Sequence, residues 1–118
     1  MPKKYRLSRS DFTTLKRVKS RRVHGTYFSL TVFPLPQSAN SKTACVVSKK
    51  IAARAVVRNA IDRKCREVVR PLIKRTEKSV ALVFHAKREA ADTSFAQAQR
   101  DILTLLERSG LRDTMAIT

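Results

Sequence analysis

The side chains in this sequence best equipped for chemistry are guanidinium groups, and they crowd into one stretch. Ser48 to Arg75, SKKIAARAVVRNAIDRKCREVVRPLIKR, holds ten of the chain's 26 basic residues. Guanidinium forks pair bidentately with phosphate oxygens and stay charged at any physiological pH, so their chemistry is the holding of polyanions. Bond-breaking equipment is not evident. There is no nucleophile beside an obvious base, no glycine-rich phosphate loop and no paired carboxylates, and the only glycines are Gly25 and Gly110. Cys45 and Cys65 lack a CxxC spacing, and His24 and His85 are too scattered to complete a zinc site, so no metal is expected on the protein alone.

Charge placement sharpens this reading. The net charge is +17, and residues 1 to 75 carry 20 basic and 3 acidic side chains, whereas residues 76 to 118 carry 6 of each. Self-repulsion of that size is tolerated best opposite a polyanion, which makes nucleic acid the default partner. No apolar run approaches the length of a membrane span, and neither terminus offers a basic amphipathic helix with bulky anchors, so a membrane partner is not expected. The N-terminus MPKKYRLSRS lacks the apolar core of a signal peptide. The expectation is a cytoplasmic protein with two reduced, buried thiols.

A helix is needed to array these arginines. At 100° per residue, Val57, Ile61, Cys65, Val68 and Leu72 fall within about 80° of one another and form a buried stripe. The opposite arc carries Asn59, Asp62, Arg63, Arg66, Arg70 and Lys74, with Arg58 at its edge. The helix should begin near Arg54 or Ala55, and Pro71 predicts a kink or early end between Glu67 and Pro71. Asp62, four residues from both Arg58 and Arg66, predicts an ion pair with each.

The flanks read as scaffold. Residues 1 to 8 form a basic arm expected to be mobile, then Ser8 or Ser10 caps a short helix with Phe12, Leu15 and Val18 at helical spacing. Phe12 suits either a core anchor or a stacking platform for a base. Tyr27 to Phe33 reads as a strand, with Phe28, Leu30 and Val32 on one face and Tyr27, Ser29, Thr31 and Phe33 on a second face able to hold water. Thr43 to Ser48 reads as its hairpin partner, with one more strand at residues 21–23 or in the loop between Pro34 and Lys42. Ser79 to Arg88 reads as a strand buried on both faces. Ser94 and Gln97 form a capping box before a helix buried through Ala98, Ile102, Leu105 and Leu106, with Gly110 at its C-terminal cap and a mixed-sign solvent face. These elements predict one α+β domain over 1–118, a small mixed sheet of about four strands with helices on it, and a short tail from about 111.

The run VVSKKIAARAVVRNAIDRKCRE resembles the signature of the bacterial ribonuclease P protein subunit: a strand ending in Ser-Lys-Lys, then a helix with an Arg-Asn-Arg motif and further basic residues. Asp11-Phe12, the strand at Tyr27 to Phe33 and the Ala86-Lys87-Arg88 strand end fall in the matching order. This resemblance implies an α/β sandwich with a left-handed βαβ crossover, an exception to the usual hand. It implies that Lys49, Lys50, Arg54, Arg58, Asn59, Arg63 and Arg66 contact a catalytic RNA, and Arg70 shares their face. Phe12 would line a cleft for the 5′ leader of precursor tRNA, with Tyr27, Ser29 and Thr31 on its floor and Lys87 and Arg88 nearby. The RNA, with bound Mg²⁺, would hydrolyse the phosphodiester, making the protein the accessory subunit of an endoribonuclease in tRNA 5′ maturation. No protein partner is implied. Three positions depart from the pattern: Ala60 replaces the motif's second arginine, Asp62 a common lysine, and Lys16 an aromatic one turn after Phe12. The competing expectations are a ribosomal or other structural RNA-binding protein and, more weakly, a major-groove DNA binder.

Overall fold

The computed structural model describes residues 5–36, 40–73 and 79–110. Its elements run α1 (Arg9–Leu15), β1 (Arg21–His24), β2 (Phe28–Pro34), β3 (Lys42–Val46), α2 (Ala55–Ile73), β4 (Val80–Ala86) and α3 (Phe95–Arg108), with a 3-10 turn at Arg88–Asp92. The strands form one mixed sheet in the order β1-β2-β4-β3. β1 with β2 and β2 with β4 are antiparallel, while β3 and β4 are parallel and joined through α2. The expected α+β architecture is therefore present.

The pairing of β3 corrects the expected hairpin. β3 does not pair with β2; Thr43 faces Leu82 and Cys45 faces Phe84 across a parallel ladder. The hairpin partner of β2 is β1, the additional strand expected at residues 21–23, with Val23 opposite Leu30. Two physical features explain this. VALVFHA is apolar on both faces and takes an interior position, where helices cover one side. Pro34 and Pro36 make the chain after β2 unsuited to a tight hairpin turn, whereas Gly25-Thr26-Tyr27 provides one before it.

α2 and α3 pack on one face of the sheet. Ile61, Cys65, Val68, Val69 and Ile73 meet Leu30, Leu82 and Phe84 from β2 and β4, and Ile102, Leu105 and Leu106 from α3, in a single cluster. Each large apolar side chain contributes about 1.5–3 kcal/mol by leaving water. Val57 and Leu72 of the expected stripe are only partly buried, and Val69 and Ile73 join it. Of the kink or early end expected at Pro71, the early end is not found: the proline lies in the last described turn of α2, and buried Val68, Val69 and Ile73 hold that turn against the sheet. On the other face of β2, expected to be able to hold water, Ser29 (3 % exposed) and Thr31 (8 % exposed) are buried beside His85 and Val83 of β4, while Phe33 is half-buried. Cys45 is half-buried and Cys65 buried, and both are free thiols.

Candidate nucleic-acid interface

α1 is too short to persist alone and is fixed from both ends. Its N-cap, Ser8, completes a capping box: the Asp11 amide donates to Ser8 Oγ at 3.2 Å, and the Ser8 amide donates to Asp11 Oδ2 at 2.8 Å. Such a cap stabilises by about 1 kcal/mol. Asp11 also takes Lys42 Nζ at 3.2 Å. Strand alternation turns Lys42 away from the α2–α3 side, so this ion pair ties α1 to the other face of the sheet beside β3. The Ser8 amide, with help from the Ser8 hydroxyl and Lys42, holds the Asp11 carboxyl below its ordinary value. Leu15 is buried and Phe12 half-buried. Upstream, Arg6 bridges Thr43 in parallel fashion, and the Leu7 amide donates to the Thr43 carbonyl at 3.1 Å. Residues 1–4 of the expected arm, the tail from 111, and Lys74 lie outside the described residues.

Between α1 and α2, along the outer edge of β3, runs a groove of about 250 Å³ lined by Arg6, Phe12, Thr43, Cys45, Asp62 and Arg66, among others. Its α2 wall is an ion pair, Arg66 Nη2 to Asp62 Oδ2 at 3.2 Å. Burial raises the Asp62 carboxyl above its ordinary value, against the opposing pull of Arg66 and Arg6. Two buried polar atoms of residues lining the groove, Arg66 Nε on α2 and Thr43 Oγ1 on β3, have no hydrogen-bond partner among the described residues. Such atoms cost about 1–3 kcal/mol each until a partner arrives. Beneath the groove, burial pushes the Cys65 thiol well up, reinforced by its hydrogen bond to Cys45.

Outside the groove, Asn59, Arg63 and Arg70 are exposed along α2 and Arg54 just before its start, and Arg63, Arg66 and Arg70 with Glu67 line a shallow hollow of about 180 Å³. Lys49 and Lys50 are exposed in the turn that precedes α2. Arg58 is different. Its Nη1 donates to the carbonyls of Ala52 (2.9 Å) and Ala53 (2.7 Å), holding the lysine-bearing turn against the helix start. The expected Arg58–Asp62 ion pair is therefore not formed, because unsatisfied carbonyls at the helix entrance take the guanidinium; the Asp62–Arg66 pair is formed.

The residues expected on the floor of a single cleft occupy separate places. Ser29 and Thr31 lie on the sheet face away from α2 and α3, where Arg22 Nη2 reaches Ser29 Oγ at 3.5 Å and His85 stands opposite Ser29. Burial, and secondarily Arg22, lowers the His85 pKa. Tyr27 precedes β2 and lines a different hollow with His24, Arg100 and Arg108. Lys87 Nζ donates to the Gly25 carbonyl at 2.6 Å, bracing the β1–β2 turn, while Arg88 is exposed.

Asp101 was not legible as a structural residue. Its carboxylate accepts the amides of Thr26, Tyr27 and Phe28, each at 2.9 Å, and thereby clamps the β1–β2 turn to α3. A Cβ on Gly25 would lie 2.7 Å from Asp101 Oδ1, so the clamp requires glycine there. The only available signal was an acidic residue bordering the Ala98–Ile102–Leu105 stripe. Among the described residues no group of three or more His, Cys, Asp or Glu could hold a metal ion. Asp62, the carboxylate in the groove, is engaged by Arg66 and offers a poor seat for a hard cation.

Fold and site together define a class: a small α+β sandwich whose longest helix displays arginines beside a groove at the sheet edge. The ribonuclease P family model matches residues 1–110, and the chain belongs to that family. It is 37% identical over 93 residues to the ribonuclease P protein component of Thermus thermophilus, covering 79% of this chain and 53% of that protein, so the chain spans about half the length of this relative. The Chloroflexus aurantiacus protein component is 33% identical over 112 residues, covering 94% and 82% of the two chains. Among solved structures, the Staphylococcus aureus RNase P protein superposes with a TM-score of 0.77 at 23% identity, covering 91% of this chain and 96% of that one. The Thermotoga maritima RNase P protein gives 0.71 at 23% identity, covering 87% and 96%. No described helix is long and apolar enough to cross a membrane.

Proposed function

We propose that this chain is the protein subunit of ribonuclease P, binding a catalytic RNA through α2 and the Lys49-Lys50 turn and holding the 5′ leader of precursor tRNA in the α1–α2 groove. The groove carries this reading. It combines a half-buried aromatic, Phe12, on which a base can stack, with Arg6 and Arg66 for the phosphates. The unpaired Arg66 Nε gives the groove a use for an added acceptor: a small rotation of the guanidinium would bring that donor onto a phosphate oxygen. Exposed Arg63 and Arg70 on the same helix, with Arg54 just before its start, are left for the catalytic RNA, so one element serves both RNAs.

In this reading the protein breaks no bond. The RNA holds the Mg²⁺ ions and performs the hydrolysis, while the protein offsets repulsion between catalytic RNA and substrate and keeps the leader extended. Lys49 and Lys50 act as point charges on a turn that Arg58 keeps in place. The test is binding by the reconstituted complex of this protein and its cognate RNA. Precursor tRNA with a leader of several nucleotides should bind more tightly than mature tRNA, and equal affinity for the two would refute leader binding.

A further inference from the structure

A further hollow lies away from the α1–α2 groove. It encloses about 490 Å³ between the β1–β2 turn and α3, and His24, Tyr27, Arg100, Thr104 and Arg108 are in its lining. β1 is the sheet edge opposite β3, so this hollow and the groove belong to opposite edges of the sheet. Read in sequence, α3 has a mixed-sign solvent face and suggests scaffold duty. In three dimensions two of its arginines, Arg100 and Arg108, line this hollow, and the acidic Asp101 beside them is taken up by backbone amides.

Arg100, Thr104 and Arg108 stand at successive i, i+4 positions and so share one side of α3. Arg21, from the neighbouring strand, brings its Nη2 to the Arg108 carbonyl at 3.4 Å, and Arg108 Nη1 donates to the His24 carbonyl at 2.9 Å. Arg108 thus spends one donor on the scaffold out of the five a guanidinium carries. The one carboxylate in the lining, Asp101, accepts three backbone amides. The ion pairs Lys42–Asp11 and Arg66–Asp62 lie toward the other edge. The frame is also stiff. The turn is held by Asp101, by the Gly25 amide on the Phe28 carbonyl at 2.8 Å, by the Lys87 amide on the Tyr27 carbonyl at 2.8 Å and by Lys87 Nζ on Gly25. A rigid concavity with exposed arginines on its rim is preorganised for an anion with several acceptor oxygens.

We infer that this hollow is a second phosphate-binding site, taking a backbone phosphate of the RNA partner through Arg100 and Arg108. The inference rests on the RNA-binding reading above and extends it: contacts at both sheet edges make the protein a bridge across the RNA surface, not a one-sided docking module. Arg100 is the primary probe because it is exposed and makes none of the bonds that hold the turn.

The experiment measures affinity of the full chain for its cognate ribonuclease P RNA across a salt series, comparing wild type, Arg100→Gln, Arg100→Glu and Arg63→Gln on α2. One lost phosphate contact lowers the slope of log affinity against log salt by about 0.7–0.9. The inference expects that decrease for Arg100→Gln, and a greater loss of affinity for Arg100→Glu. Wild-type slope and affinity in both Arg100 variants would overturn it. The outcomes separate the two readings: if Arg63→Gln weakens binding and the Arg100 variants do not, only the second site fails, whereas a wild-type chain that does not bind this RNA removes the RNA-binding reading itself.

Discussion

Replacing Asp101 by Asn removes one oxygen acceptor from a site where three amide donors converge at 2.9 Å. Oδ2 serves Tyr27 and Phe28, and Oδ1 serves Thr26. An asparagine that keeps its oxygen toward Tyr27 and Phe28 turns its own NH₂ toward the Thr26 amide, donor against donor. Hydrogen bonds to a charged group contribute about 1.5–3 kcal/mol net and neutral ones about 1 kcal/mol. Losing one bond and weakening two should therefore cost about 3–4 kcal/mol. The residue is only 8 % exposed, so solvent screens little of this. For a domain of this size the melting temperature should fall by roughly 12–16 °C, at about 4 °C per kcal/mol. Thermal unfolding followed by circular dichroism gives the number, with exposed Asp92→Asn as the control expected to stay within about 0.5 kcal/mol of wild type. A fall of less than about 1 kcal/mol for Asp101→Asn would refute the clamp as what seats the β1–β2 turn on α3.

Three further outcomes follow from the site. Phe12→Ala should weaken binding of leader-bearing precursor tRNA by the reconstituted complex by about 1–3 kcal/mol, the range for one lost base–aromatic stack; mature tRNA should be unaffected, and an equal loss for both would remove Phe12 from the leader's path. Ala60→Arg restores the cation that the family motif carries at that position and should strengthen binding to the cognate RNA at moderate salt, while unchanged or weaker binding would mean that this side of α2 meets its RNA by another route. The stability that Asp11 contributes should be fully present above the ordinary carboxyl value of 3.8 and lost as pH falls through its depressed folded value. Urea denaturation of wild type and Asp11→Asn should accordingly converge at strongly acid pH, and a stability gap that persists there would contradict the capping assignment.

Much of the fold could be read along the chain because it rests on local rules. Ser94 and Gln97 announce the start of α3, the period of Ile61, Cys65 and Val68 gives the buried side of α2, and the unbroken apolar run gives the interior strand. Strand pairing was harder, since a parallel partner across a helical crossover leaves no mark between Val46 and Val80 comparable to a hairpin turn. The site was legible in residue type but not in engagement. Arg58 has the same charge as Arg63, yet only the structure shows that Arg58 is committed to the Ala52 and Ala53 carbonyls. Tyr27 illustrates the same limit: alternation assigned it to a strand face, but the turn at Gly25 begins β2 one residue later and directs Tyr27 to the α3 hollow. The Asp101 clamp and the arginines of that hollow join positions more than 70 residues apart, a juxtaposition that no local pattern encodes.

The central claim is that this chain assists an RNA that performs the cleavage. Its most direct test is a Mg²⁺ titration of 5′ processing of precursor tRNA by the cognate ribonuclease P RNA, with and without the protein, at fixed monovalent salt. The account predicts that the protein shifts the Mg²⁺ midpoint to lower concentration, and that precursor tRNA is cut at the same phosphodiester as by the RNA alone at high Mg²⁺. An unchanged midpoint with correctly folded protein would contradict it.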